Sequence, residues 1–148
     1  RGEARSTELR HDLTLGVARQ LFTLSPGAAF VYVSGMGTDA TGRGRTMWAR
    51  VKGRTENALR ALPFRAAYMF RPGLVQPLGD VESRTGWVRA LNTLLKPLFL
   101  LLRRVFPDGI VTTAEIGRAM IAGARDGFER PVLESADIVR LAREGARG

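Results

Sequence analysis

Three stretches of this 148-residue chain carry side chains able to do chemistry together. Ser34 follows the apolar run Phe30 to Val33 and puts a hydroxyl at its end. Trp48 and Lys52 stand four residues apart, a spacing that sets both on one face of a helix. Lys52 supplies a cation there. Trp offers only an indole N–H donor and has no acid/base cycle. Arg71-Pro72-Gly73 ends a second apolar run. Taken singly, each has a plain structural reading: Ser34 ends a strand, Trp48 packs, Lys52 is an exposed helix lysine and Gly73 makes a turn.

Other chemistries are narrowed by composition. The chain has no cysteine, which excludes disulfides, thiol catalysis and thiolate metal ligation. Its single histidine, His11, cannot build a multi-histidine metal site and is expected at the surface. No metal site is expected. The net charge is +9 and the pI about 11.4. Such a balance fits nucleic acid or an anionic membrane. Against nucleic acid, the arginines are scattered and aromatic residues do not interleave with them. Lys52 and Lys96 are the only lysines, so the basicity reads as a bias toward arginine. A reducing, cytoplasmic setting is compatible with the lack of cysteine and is the expected location.

The elements that must position these residues read as an alternating α/β pattern. Residues 1–11 are charged and aperiodic, without a signal-peptide apolar core. They are expected to be a disordered leader, with the domain running from 12 to 148. DLTLGVARQLF predicts a helix capped by Asp12 or Thr14, with Leu15, Ala18, Leu21 and Phe22 on its core face. Phe30 to Val33 predicts a parallel strand buried on both faces. TMWARVKGRTENALRAL predicts a helix whose core side holds Met47, Val51, Ala58, Leu59 and Leu62, closed by Pro63. RAAYMFRPG predicts a second buried strand, completing a βαβ unit. A loop through Gly79 leads to WVRALNTLLKPLFLLLRRVFP, an apolar helical stretch broken or kinked at Pro97. It is too short to cross a bilayer, which needs about 20 apolar residues. A buried or interface role is favoured over membrane-surface contact. A helix capped by Thr113 and stopped by Gly127 follows, then a short strand at Pro131 to Glu134 and an amphipathic helix, ADIVRLARE.

The segments FVYVSGMGTD, MWARVKGRTE, YMFRPGLVQP and VTTAEIGRAM occur in the order in which similar segments occur in one family. From Asp12 to about Arg143 the chain resembles the later part of an extended or atypical short-chain dehydrogenase/reductase of the NAD(P)-binding epimerase/dehydratase-like kind. The resemblance implies an α/β fold, the C-terminal part of a doubly wound, Rossmann-like parallel sheet. In that fold a dinucleotide lies at the C-terminal ends of the strands. Its phosphates rest on a Gly-rich loop after the first strand, at a helix N-terminus. No such loop follows a strand here, so the N-terminal Gly-rich half is expected to be lacking.

By the same resemblance, Ser34 matches a residue that hydrogen-bonds the substrate oxygen. Lys52 matches the lysine that binds the nicotinamide ribose and favours the tyrosinate. Trp48 stands at the position of the catalytic tyrosine. Arg71, Pro72 and Gly73 match a turn whose backbone lies near the nicotinamide ring. The implied cofactor is NAD or NADP, and the implied substrate is a small carbonyl compound or a sugar nucleotide. With Trp48 in place of the tyrosine, a partial and catalytically degenerate epimerase/reductase-like protein is expected. Two alternatives stand beside it: an active oxidoreductase or epimerase when joined to a missing N-terminal half, and a non-enzymatic interaction module using the apolar 87–106 segment. Self-association is expected through the unpaired side of the strand at Phe30 to Val33 and the apolar 94–106 stretch.

Overall fold

A computed structural model of the chain describes residues 2–76, 97–98, 100–102, 104–106 and 109–146. In chain order these form α1 (Gly2–Leu24), β1 (Ala29–Val33), α2 (Met47–Arg60), β2 (Ala66–Arg71), β3 (Leu74–Gln76), β4 (Ile110–Thr112), α3 (Thr113–Asp126), β5 (Val132–Glu134) and α4 (Ser135–Glu144). The described residues within 97–105 are helical. The expected loop through Gly79 and the start of the apolar stretch, 87–96, lie outside the described residues.

β1, β2 and β5 form a parallel sheet in that order, and β3 and β4 form a separate parallel pair. Strand β1 runs in register with β2 from Ala29 opposite Ala66 to Val33 opposite Phe70. Because side chains alternate along a strand, β2 feeds two cores. Met69 is fully buried with Leu15 and Ala18 of α1 and Leu59 of α2, and Phe30, Tyr32 and Phe64 pack against this cluster. Tyr68 and Phe70 face the other way. They join Leu133, Ala119 and Ala122 of α3 and Ile138, Val139 and Leu141 of α4. Helices therefore cover both faces of the sheet, the arrangement that parallel strands require.

Several boundaries differ from the sequence expectation. α1 does not begin at Asp12 or Thr14; residues 2–11, expected to be a disordered leader, form its first turns. The Thr14 hydroxyl donates to the Arg10 carbonyl at 2.8 Å, a mid-helix arrangement and not a cap. His11 is half-buried, its Nδ1 2.7 Å from the Thr55 hydroxyl, which fastens the early turns to α2. Leu21, expected on the core face, is exposed, while Leu15 and Ala18 are buried. β1 is half-buried and Val33 is 40% exposed, because the strand lies at the sheet edge among the described residues. Met47 is exposed and Ala58 and Leu62 are only partly covered; the buried side of α2 is Ala49, Val51, Thr55, Glu56 and Leu59.

The cap of α3 is Thr112, one residue earlier than expected. It forms a reciprocal capping box with Glu115, and Gly127 ends the helix with a φ of 80°. The short strand near Pro131 forms as Val132–Glu134. The β3–β4 pair had no counterpart in the sequence reading. Each strand has three residues, too few to show a periodicity of two.

Candidate functional site

The C-terminal ends of β1, β2 and β5 come together at one edge of the sheet, and the residues singled out from the sequence cluster there. Ser34 follows β1 directly and is buried, its N–H donating to the Phe70 carbonyl at 2.8 Å. Arg71 ends β2 opposite Glu134 of β5. The next loops interlock across the edge. The Met36 N–H donates to the Pro72 carbonyl at 2.9 Å, and the Gly73 N–H donates to the Ser135 hydroxyl at 2.8 Å. A Cβ on Gly73 would meet the Gly109 carbonyl oxygen at 3.2 Å and the Ser135 hydroxyl at 3.3 Å. Close approach therefore favours glycine there, while its φ is ordinary.

The group that joins these residues is one the sequence reading missed: Glu56, 1% exposed and two turns beyond Trp48 on α2. The Ser34 hydroxyl donates to Glu56 Oε1 at 2.5 Å, and the Phe70 carbonyl lies 3.2 Å from the same hydroxyl. Arg71 grips the carboxylate with two N–H groups, Nε to Oε1 at 3.0 Å and Nη2 to Oε2 at 2.5 Å. Its other nitrogen lies 3.5 Å from Glu134 Oε1. Such a fork matches carboxylate geometry and gives strong, charge-assisted bonds. These bonds hold the Arg71 guanidinium above its ordinary pKa, with Glu56 the main cause. Glu56 carried a sequence signal: Trp48, Lys52 and Glu56 recur every fourth residue and so share one helix face. It was missed because a Glu in a helix ordinarily reads as a solvated residue.

Lys52 is half-buried, and its ammonium donates to the Ser34 backbone carbonyl. Burial pushes its pKa below the ordinary lysine value. The positive charge of Arg10 on α1 adds to that, and Glu56 opposes it. Trp48 stands one turn toward the helix start, 43% exposed, with the Lys52 nitrogen 6.0 Å from the centre of its ring. Neither tyrosine stands in for it. The Tyr68 hydroxyl accepts the Phe128 N–H at 2.8 Å on the other side of the sheet. Tyr32 is half-buried within β1, and burial raises its pKa.

The loop from Gly35 to Arg45 is folded down onto α2. Asp39 accepts from the Thr41 hydroxyl at 2.6 Å and the Gly44 N–H at 2.6 Å, which hold its carboxyl below the usual range. The Asp39 N–H donates to the Ala49 carbonyl at 3.0 Å, and Asn57 Nδ2 donates to the Ala40 carbonyl at 2.9 Å. This approach needs Gly53, because a Cβ there would fall 1.8 Å from the Asp39 carbonyl oxygen.

The arrangement thus gathers Ser34, Lys52 and Arg71 about Glu56, sets Trp48 at the rim and puts Pro72 and Gly73 against the neighbouring loop. Among the described residues, no cluster of three His, Asp or Glu side chains suits a metal ion, and no helix is long and apolar enough to cross a membrane. No protein-family model matches the chain, and no curated protein does. The chain is a mixed α/β protein built on small parallel sheets.

Proposed function

We propose that the chain supplies the nicotinamide-side half of an NAD(P)-binding, epimerase/reductase-like domain, and that this half is degenerate in catalysis. The observation that carries the reading is the convergence of Ser34, Lys52 and the Arg71-Pro72-Gly73 turn at the C-terminal ends of adjacent parallel strands. Open α/β sheets bind their ligands outside that edge. Lys52 is the cation available to a ribose hydroxyl. The Pro72–Gly73 backbone flanks the same edge.

Degeneracy follows from two side chains. Trp48 can donate one N–H but cannot cycle a proton. The Ser34 hydroxyl hydrogen is engaged by Glu56, so Ser34 has no second donor for a substrate oxygen. The test is to join the chain to the Gly-rich half of a related reductase and compare Trp48 with Trp48→Tyr. NAD(P)H oxidation is followed against a panel of carbonyl compounds. The Tyr form should turn over faster, by about 10²- to 10⁴-fold, the usual contribution of a positioned acid/base. Equal turnover would show that residue 48 marks no lost proton donor.

A non-enzymatic interaction module is the second reading. Its support is exposed apolar surface: Leu98, Leu100, Leu101, Val105 and Phe106 from the 87–106 segment, and a stripe along α1. A partner that binds equally well to the Lys52→Ala form, with no nicotinamide nucleotide present, would favour it.

A further inference from the structure

We propose that Glu56 is the positioning residue of this site: its single buried carboxylate fixes the Ser34 hydroxyl and the Arg71 guanidinium and, across one helical turn, holds the Lys52 ammonium against the Ser34 carbonyl. The proposal rests on reading Lys52 as the ligand-facing cation of the edge. Three observations converge on it. Glu56 is nearly inaccessible, yet it carries a charge-bearing group. Every oxygen of that group is used, Oε1 by Ser34 and Arg71 and Oε2 by Arg71. Lys52, on the same helix face, ends on the backbone carbonyl of the very residue whose hydroxyl Glu56 holds.

A carboxylate buried merely to satisfy Arg71 would need no link to Lys52. Here the link runs twice, through space along α2 and through Ser34. Removing the charge therefore loosens the Ser34 side chain and also withdraws a negative charge that favours the Lys52 ammonium. The charged and titratable groups that bear on this pair are few. Arg10 faces Lys52 from α1, Arg71 meets Glu56 from β2 and is itself approached by Glu134 of β5, and Tyr32 approaches Glu56 from β1. With Glu56 neutralised, Arg10 and burial act on Lys52 unopposed, so the ammonium must lose its proton at lower pH.

The chain's two lysines make this readable. The acylation rate of Lys52 by acetic anhydride is followed against pH by peptide mass spectrometry, with Lys96 as the internal reference amine. Wild type is compared with Glu56→Asp, which keeps the charge but draws it back by one methylene, and with Glu56→Gln, which removes it. Circular dichroism checks the fold of each. The Lys52 midpoint should fall in the order wild type, Asp, Gln, while the Lys96 midpoint stays fixed. A Lys52 midpoint unchanged in either folded variant would overturn the proposal. The Asp form alone suffices if the Gln form does not fold. No nucleotide enters the experiment, so failure of dinucleotide binding and failure of this coupling are told apart.

Discussion

At the scale of single residues, Glu56 is the most deeply buried carboxylate among the described residues. A buried carboxylate loses its hydration and is tolerated only with excellent partners. Ser34 and the Arg71 fork supply them. Glu56→Ala would leave the Arg71 guanidinium, 15% exposed, without its main counter-charge. Breaking one side of a buried pair costs about 3–5 kcal/mol. Urea unfolding should report a loss of that size, against less than about 1 kcal/mol for exposed Glu8→Ala, whose contact to Arg54 is long and solvated at 3.8 Å. Equal losses would mean that the Glu56 network contributes little. Legibility at this scale was uneven. Ser34, Lys52 and Arg71 stood out by type and position, and they do meet. Glu56 did not stand out, because spacing tells which face a glutamate shares but not whether that face is covered.

At the scale of elements, periodicity and punctuation located most helices and strands but misplaced their ends. Pro63 and Gly127 marked stops correctly to within a few residues, since one removes a donor and the other admits a positive φ. The start of α1 was misjudged because charged residues 2–11 show no apolar rhythm. Tertiary ties from His11 to Thr55 and from Glu8 to Arg54 accompany the helix there, and no sequence period encodes them. The cap of α3 offered two adjacent threonines, and only the chain's turn out of β4 selects Thr112. Its hydroxyl accepts the Glu115 N–H at 3.2 Å and donates to the Glu115 carboxylate at 2.9 Å. Thr112→Ala should lower stability by about 1–2 kcal/mol. Thermal unfolding of this variant checks it, and an unchanged melting temperature would contradict a stabilising cap.

At the scale of the whole molecule, sheet edges and apolar helix faces remain uncovered among the described residues. β1 pairs with β2 alone. Along α1, Leu9, Leu13, Val17, Leu21 and Leu24 are exposed and line a shallow groove of about 520 Å³. Exposed apolar surface of this kind drives association. The chain should self-associate as its concentration rises, by light scattering, and a Leu13→Glu, Val17→Glu double variant should shift it toward monomer. Unchanged association in that variant would show that the α1 stripe is not the contact. The proposal that the ends of β1 and β2 form a nicotinamide-side site is put to the test by titrating reduced nicotinamide mononucleotide into isotope-labelled chain and following each backbone amide by NMR. This ligand carries the ribose and ring but does not need a loop for the second phosphate. Weak binding is expected. The largest shifts should fall on Gly35, Lys52 and Gly73, and Lys52→Ala should weaken them. Shifts centred elsewhere, or none at these three residues, would contradict it.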